Sequence, residues 1–157
     1  MAQFLFRLEA SLRLAEQALD TAQREFAQEV QRWQACVRAS AVQQERFSDA
    51  QEGQRDSGRH RPEELGTWQI FALEQQRRLR KCEAERMEQE TVMENARHNL
   101  LEAHVEMEKF GRLKEKQAKA FRLAELQKEQ KVLDETGQVL YWRQQKINQY
   151  QINGRAN

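Results

Sequence analysis

LFRLEASLRLAEQALDTAQREFAQEVQRWQAC, residues 5–36, decides the fold. Positions taken alternately three and four apart read Leu5, Leu8, Leu12, Ala15, Leu19, Ala22, Phe26, Glu29, Trp33 and Cys36. Nine of these ten are apolar, while Arg, Glu, Gln and Asp dominate between them, which is the heptad seam of a coiled coil. The pattern fades through Ser40 and Gln43, with Phe47 its last apolar member.

Working outward, the clear break is GQRDSGRHRP, residues 53–62, which holds two of the six glycines and the only proline. Pro62 suits the first turn of a new helix, where its missing N–H would have no partner, and Glu63 and Glu64 then meet the positive end of the helix dipole. Beyond the break a second seam runs through Met93, Ala96, Leu100, Ala103, Met107 and Phe110. Leu126, Leu133, Leu140 and Ile147 recur at a spacing of seven, out of clean register with Phe110, so a stutter is expected between them. Gly111 and Gly137 read as weak points, and the residues after Tyr150 as a frayed terminus.

The expectation is therefore an all-α chain, a single antiparallel coiled-coil hairpin over residues 1–157. Its first helix covers about 3–52, its loop about 53–61 and its second helix about 62–150. At 1.5 Å per residue the first helix spans about 75 Å and the second about 130 Å, so the second overhangs. Folding back at the loop places residues whose numbers sum to about 115 opposite one another, which sets Leu5 near Phe110 and Cys36 within a turn of Cys82. Both cysteines then read as small seam residues, since nothing flanking either thiol marks it as activated. Everything after about residue 112 lacks a partner helix, and its apolar groups call for another chain to cover them. Tyr141 and Trp142 in that overhang are candidate contact residues, whereas Trp33 and Trp68 fall at or near seam positions.

Composition agrees with a thin helical protein: 32% charged, 39% hydrophobic, one proline. No apolar run approaches the ~18 residues needed to span a bilayer, and the opening MAQFLFR has no signal-peptide core, so a cytoplasmic location with reduced thiols is expected. The net charge of +1 hides an asymmetry. Residues 63–107 hold six basic and ten acidic side chains, and residues 108–146 hold ten basic and six acidic. The distal basic stretch of Lys109, Arg112, Lys114, Lys116, Lys119 and Arg122 raises nucleic-acid binding. Glu108, Glu115 and Glu125 interrupt it, and no dense basic region precedes a clean zipper, so that class ranks below protein binding.

Catalysis needs a nucleophile or metal set held in a concave site, and a two-helix hairpin offers few such places. The sequence has no P-loop, no Gly-x-Ser-x-Gly, no His-Glu-x-x-His and no Cys-x-x-Cys. His98 and His104 lie six apart, on opposite sides of a helix, and His60 lies in the loop. A non-enzyme with no catalytic residues, no metal and no cofactor is expected.

The opening Phe4-Leu5-Phe6-Arg7-Leu8-Glu9 followed by Leu12-Arg13-Leu14-Ala15-Glu16 resembles that of the flagellar export protein FliJ family. The segment Glu108-Lys109-Phe110-Gly111-Arg112-Leu113-Lys114-Glu115-Lys116, then Phe121 and Glu129-Gln130-Lys131-Val132-Leu133-Asp134-Glu135, is similar to that family's C-terminal half. Gly111 departs from the expected pattern. The resemblance implies a stalk-like two-helix coiled coil, a protein monomeric alone, working in flagellar type III export and hence in motility. Its implied partners are the hexameric export ATPase, the cytoplasmic domain of the export gate and the export chaperones, with contact to the inner membrane only through them, at the base of the flagellum. The implied ATPase-binding surface is Phe4, Phe6, Leu8, Phe110 and Leu113 with Lys114, Glu115, Lys116 and Phe121, continuing to Gln130, Lys131, Leu133 and Asp134. Lys and Arg there would meet acidic loops, while the loop end of the hairpin would face other partners. The alternatives are the equivalent stalk protein of a virulence type III system and a generic coiled-coil scaffold that self-associates through the overhang.

Overall fold

The computed structural model describes residues 3–153, with side chains for 3–149. Helix α1 covers Glu9–His60, a single 3-10 turn covers Pro62–Glu64, and α2 covers Leu65–Asn153. The two helices pack together as an antiparallel hairpin with the second longer than the first. The frayed end expected after Tyr150 falls partly inside α2, and its last four residues lie outside the described ones.

Both ends of α1 differ from the expectation. Helix α1 begins at Glu9 rather than near residue 3, with the Glu9 amide donating to the Phe6 carbonyl at 3.2 Å. It also runs eight residues past the expected end at 52, through Gly53 and Gly58, to His60. Glycine weakens a helix by only about 1 kcal/mol relative to alanine, whereas the residue before a proline is excluded from the helical region by a clash with the proline ring. The chain therefore breaks at Arg61, which has φ −142° and ψ 68°, and not at the glycines. The expected loop of 53–61 shrinks to that residue. The Arg61 amide donates to the Ser57 carbonyl at 2.9 Å, and its guanidinium lies 3.7 Å from Asp56 and 3.4 Å from Glu64.

The chain divides into two compact units: Leu12–Glu108, and Met1–Ser11 with Lys109–Asn157. In the first unit the α1 seam carries on in unbroken three-four spacing through Ser40, Gln43, Phe47, Ala50, Gln54 and Ser57, every one buried or half-buried. Its partner on α2 is Trp68, Ala72, Gln75, Leu79, Cys82, Arg86, Gln89, Met93, Ala96, Leu100, Ala103 and Met107. Where hydropathy faded in the sequence, polar members hold the same positions and pair across the helices. Gln43 Nε2 donates to Gln75 Oε1 at 2.7 Å and to the Gln75 carbonyl at 3.3 Å, with both side chains buried. Gln89 Nε2 donates to Glu29, whose other oxygen lies 2.6 Å from Arg32. The Trp33 Nε1–H is buried without a partner.

These contacts correct the register. Gln43 with Gln75 and Glu29 with Gln89 each total 118, and Gly53 with Trp68 totals 121, against the expected 115 or so. Moving the turn from the middle of the expected loop to Arg61 shifts every facing pair by several residues. Cys36 and Cys82 also total 118, so this register brings the two half-buried free thiols level with one another. The close fit at the loop end needs a glycine: a Cβ at Gly53 would sit 2.5 Å from the Trp68 ring.

Candidate partner-binding site

In the second unit, residues 3–8 are not helical, and the chain there places Phe4 and Phe6 on α2. Phe6 is buried, and Phe4 meets Phe121 with ring centroids 5.7 Å apart and a 46° tilt. Lys114 Nζ lies 2.8 Å from Glu9 Oε2 and 6.0 Å from the centroid of Phe6. An ammonium held by a carboxylate and a ring face is restrained from both sides, and this clasp fastens the N-terminal segment to α2. Residues i and i+2 of a non-helical stretch share a side, so Leu5 between them points out and is 81% exposed. Leu5 and Leu8 were expected in the heptad seam, with Leu5 near Phe110. They are exposed because the helix has not yet begun there.

On α2 the covered positions of this unit are Phe110, Gly111, Lys114, Ala118, Phe121 and Glu125, with Phe110, Lys114 and Ala118 successively four apart. Two successive steps of four mark the stutter that the sequence implied. From residue 126 to 149 every side chain is exposed, which is the expected overhang, although it begins later than residue 112. Its leucines do not extend the covered face. At 100° per residue, Leu126, Leu133, Leu140 and Ile147 lie roughly 80° around the helix from Ala118, Phe121 and Glu125, a stripe of their own.

Of the anticipated contact residues, the structure brings Phe4, Phe6, Lys114 and Phe121 together, with Phe110 half-buried. Leu113, Glu115, Lys116, Gln130, Lys131, Leu133, Asp134, Tyr141 and Trp142 are exposed along α2. Glu115 pairs with Lys119 at 3.0 Å, and the hydrogen bond and the charge of that lysine hold its carboxyl below the usual range. Lys128 meets Glu125 at 2.7 Å, and Gln145 donates to the Tyr141 hydroxyl at 2.8 Å. A shallow depression between Lys128, Glu129, Val132 and Leu133 opens on this surface.

The sequence reading missed one surface, near the loop in the first unit. Ile70, Phe71 and Leu73 are exposed at 72%, 46% and 65%, and grooves beside them are lined by Trp68, Gln75 and Asp49 on one side and by Phe47, Gln51 and Gln69 on the other. The available signal was the four-residue apolar run Ile70-Phe71-Ala72-Leu73, of which the seam takes only Ala72. Among the described residues no cluster of three or more potential metal ligands occurs, and no helix is long and apolar enough to cross a membrane.

The family model described as flagellar FliJ protein matches residues 4–146. No curated protein and no solved structure matches the chain. The match covers the N-terminal clasp, both helices and nearly all of the exposed stripe, so the chain belongs to the FliJ family and is a component of the flagellar export apparatus.

Proposed function

We propose that this protein acts as the stalk-like coupling component of flagellar export, engaging the hexameric export ATPase through its N-terminal clasp and the exposed distal part of α2. The observation that carries this reading is the uncovered stretch 126–149, where an apolar stripe lies beside Lys131, Arg143 and Lys146. A helix so exposed is stable on water-facing residues but keeps its leucines available, and the basic flank suits acidic loops of a ring. The exposed Ile70, Phe71 and Leu73 offer a separate surface for the export gate or for export chaperones. On this reading the protein works in the cytoplasm at the base of the flagellum, promotes assembly or coupling of the ATPase, and catalyses nothing itself.

The test is co-sedimentation of the full chain with the export ATPase from the same cell, with ATP hydrolysis followed across a titration. Charge reversal belongs at Lys116 and Lys131, which are exposed, and not at Lys114, which also holds the N-terminal clasp. Undiminished binding and unchanged hydrolysis with Lys116→Glu/Lys131→Glu would remove the basic flank from the contact.

A further inference from the structure

We infer that the exposed stripe of α2 pairs with the same stripe of a second copy of this chain, in antiparallel orientation. In heptad terms the exposed face has Leu126, Leu133, Leu140 and Ile147 at one core position and Leu123, Gln130, Gly137 and Gln144 at the other. Leucines 123, 126, 133 and 140 are between 58% and 71% exposed and Ile147 is 56% exposed, so the face has no occupant within the chain. Covering these five side chains and Tyr141 removes on the order of 100 Å² each. Two copies then reach about 1,200 Å² of apolar burial, the lower edge of a specific interface.

The flanking charges choose the orientation. In a parallel pair, Glu129 of each copy faces Asp134 of the other, two like-charge contacts. In an antiparallel pair centred between residues 133 and 137, Glu129 faces Arg143 of the other copy twice, and only Asp134 meets its own counterpart. Leu133 then packs against the partner's Gly137. A Cβ built at Gly137 meets nothing within 4 Å, so no contact within the chain accounts for the glycine. At the centre of an antiparallel pair it lets the two helices approach closely.

This inference concerns the same face that the ATPase reading uses, so a second copy and the ATPase exclude one another on it, and it departs from the lone monomer that the family resemblance implied. Sedimentation velocity of the full chain over about 1–100 µM reads it directly. The expected result is a reversible monomer–dimer equilibrium in the micromolar range, weakened at least tenfold by Leu133→Asp. That side chain is 71% exposed, so circular dichroism of the variant should be unchanged. Orientation is read in a Cys36→Ala/Cys82→Ala background. Thr136→Cys, which lies on the two-fold axis of the antiparallel pair, should form an intermolecular disulfide with diamide as the two-electron oxidant, two thiols giving up two hydrogens to the diazene. Leu126→Cys should not. A monomer throughout the concentration range, or cross-linking through Leu126→Cys instead, overturns the proposal.

Discussion

Replacing Gln43 with leucine tests whether the polar layer in the seam is a paired unit or merely a tolerated defect. Gln43 is 6% exposed and Gln75 is 4% exposed, and the Gln43 amide serves both the side chain and the carbonyl of Gln75. Gln43→Leu removes the donor and leaves the Gln75 oxygens buried, a cost of about 1–3 kcal/mol set against the gain from added apolar area. The net loss should be about 1–2 kcal/mol, a fall in melting temperature of about 2–8 °C for a chain of this length. Gln75→Leu should cost a similar amount. The double variant replaces both partners and should return to within about 1 kcal/mol of the parent or exceed it, so the coupling energy of the cycle should be about 2 kcal/mol. Urea unfolding followed by far-ultraviolet circular dichroism measures all four proteins. If the two single losses simply add in the double variant, the two glutamines act independently and the reasoning fails.

Gly53→Ala should destabilise by about 1–3 kcal/mol despite alanine's better helix propensity, because its Cβ would meet the Trp68 ring at 2.5 Å; tryptophan fluorescence should shift with it. Gly137→Ala, measured at low protein concentration, should instead stabilise by up to about 1 kcal/mol, since a Cβ there touches nothing within 4 Å. Phe6→Ala should release the N-terminal clasp, seen as faster hydrogen exchange in residues 9–12 and as loss of the Lys114–Glu9 pair, with little change around Gln43. The Glu115 carboxyl should titrate below an ordinary glutamate and return towards it in Lys119→Ala, read by NMR. Because that folded value is depressed, the pair's small contribution is present above the unfolded carboxylate pKa and fades as pH falls through the folded one.

Helix content, the hairpin and the approximate place of the turn were legible in the residues because each rests on local chemistry: a three-four apolar rhythm, a proline, and helix formers elsewhere. The stutter after Phe110 and the exposed distal leucines were legible for the same reason. Two things misled. Glycines 53 and 58 looked like the break, although a helix tolerates glycine more readily than the residue before a proline tolerates helical angles. The N-terminal leucines also continued the heptad on paper, where a helix had been assumed.

What the sequence by itself determined was the period, and with it the fold class and the faces each helix would bury. Only the tertiary structure decided the register, because a shift of a few residues between two long seams leaves each helix's own pattern intact. Pairing of Gln43 with Gln75 and of Glu29 with Gln89, and the fit of Trp68 over Gly53, select one register from those the rhythm allows. Tertiary packing likewise turned Phe4 and Phe6 onto α2 through Phe121 and Lys114, a contact between residues more than a hundred positions apart that no local pattern encodes.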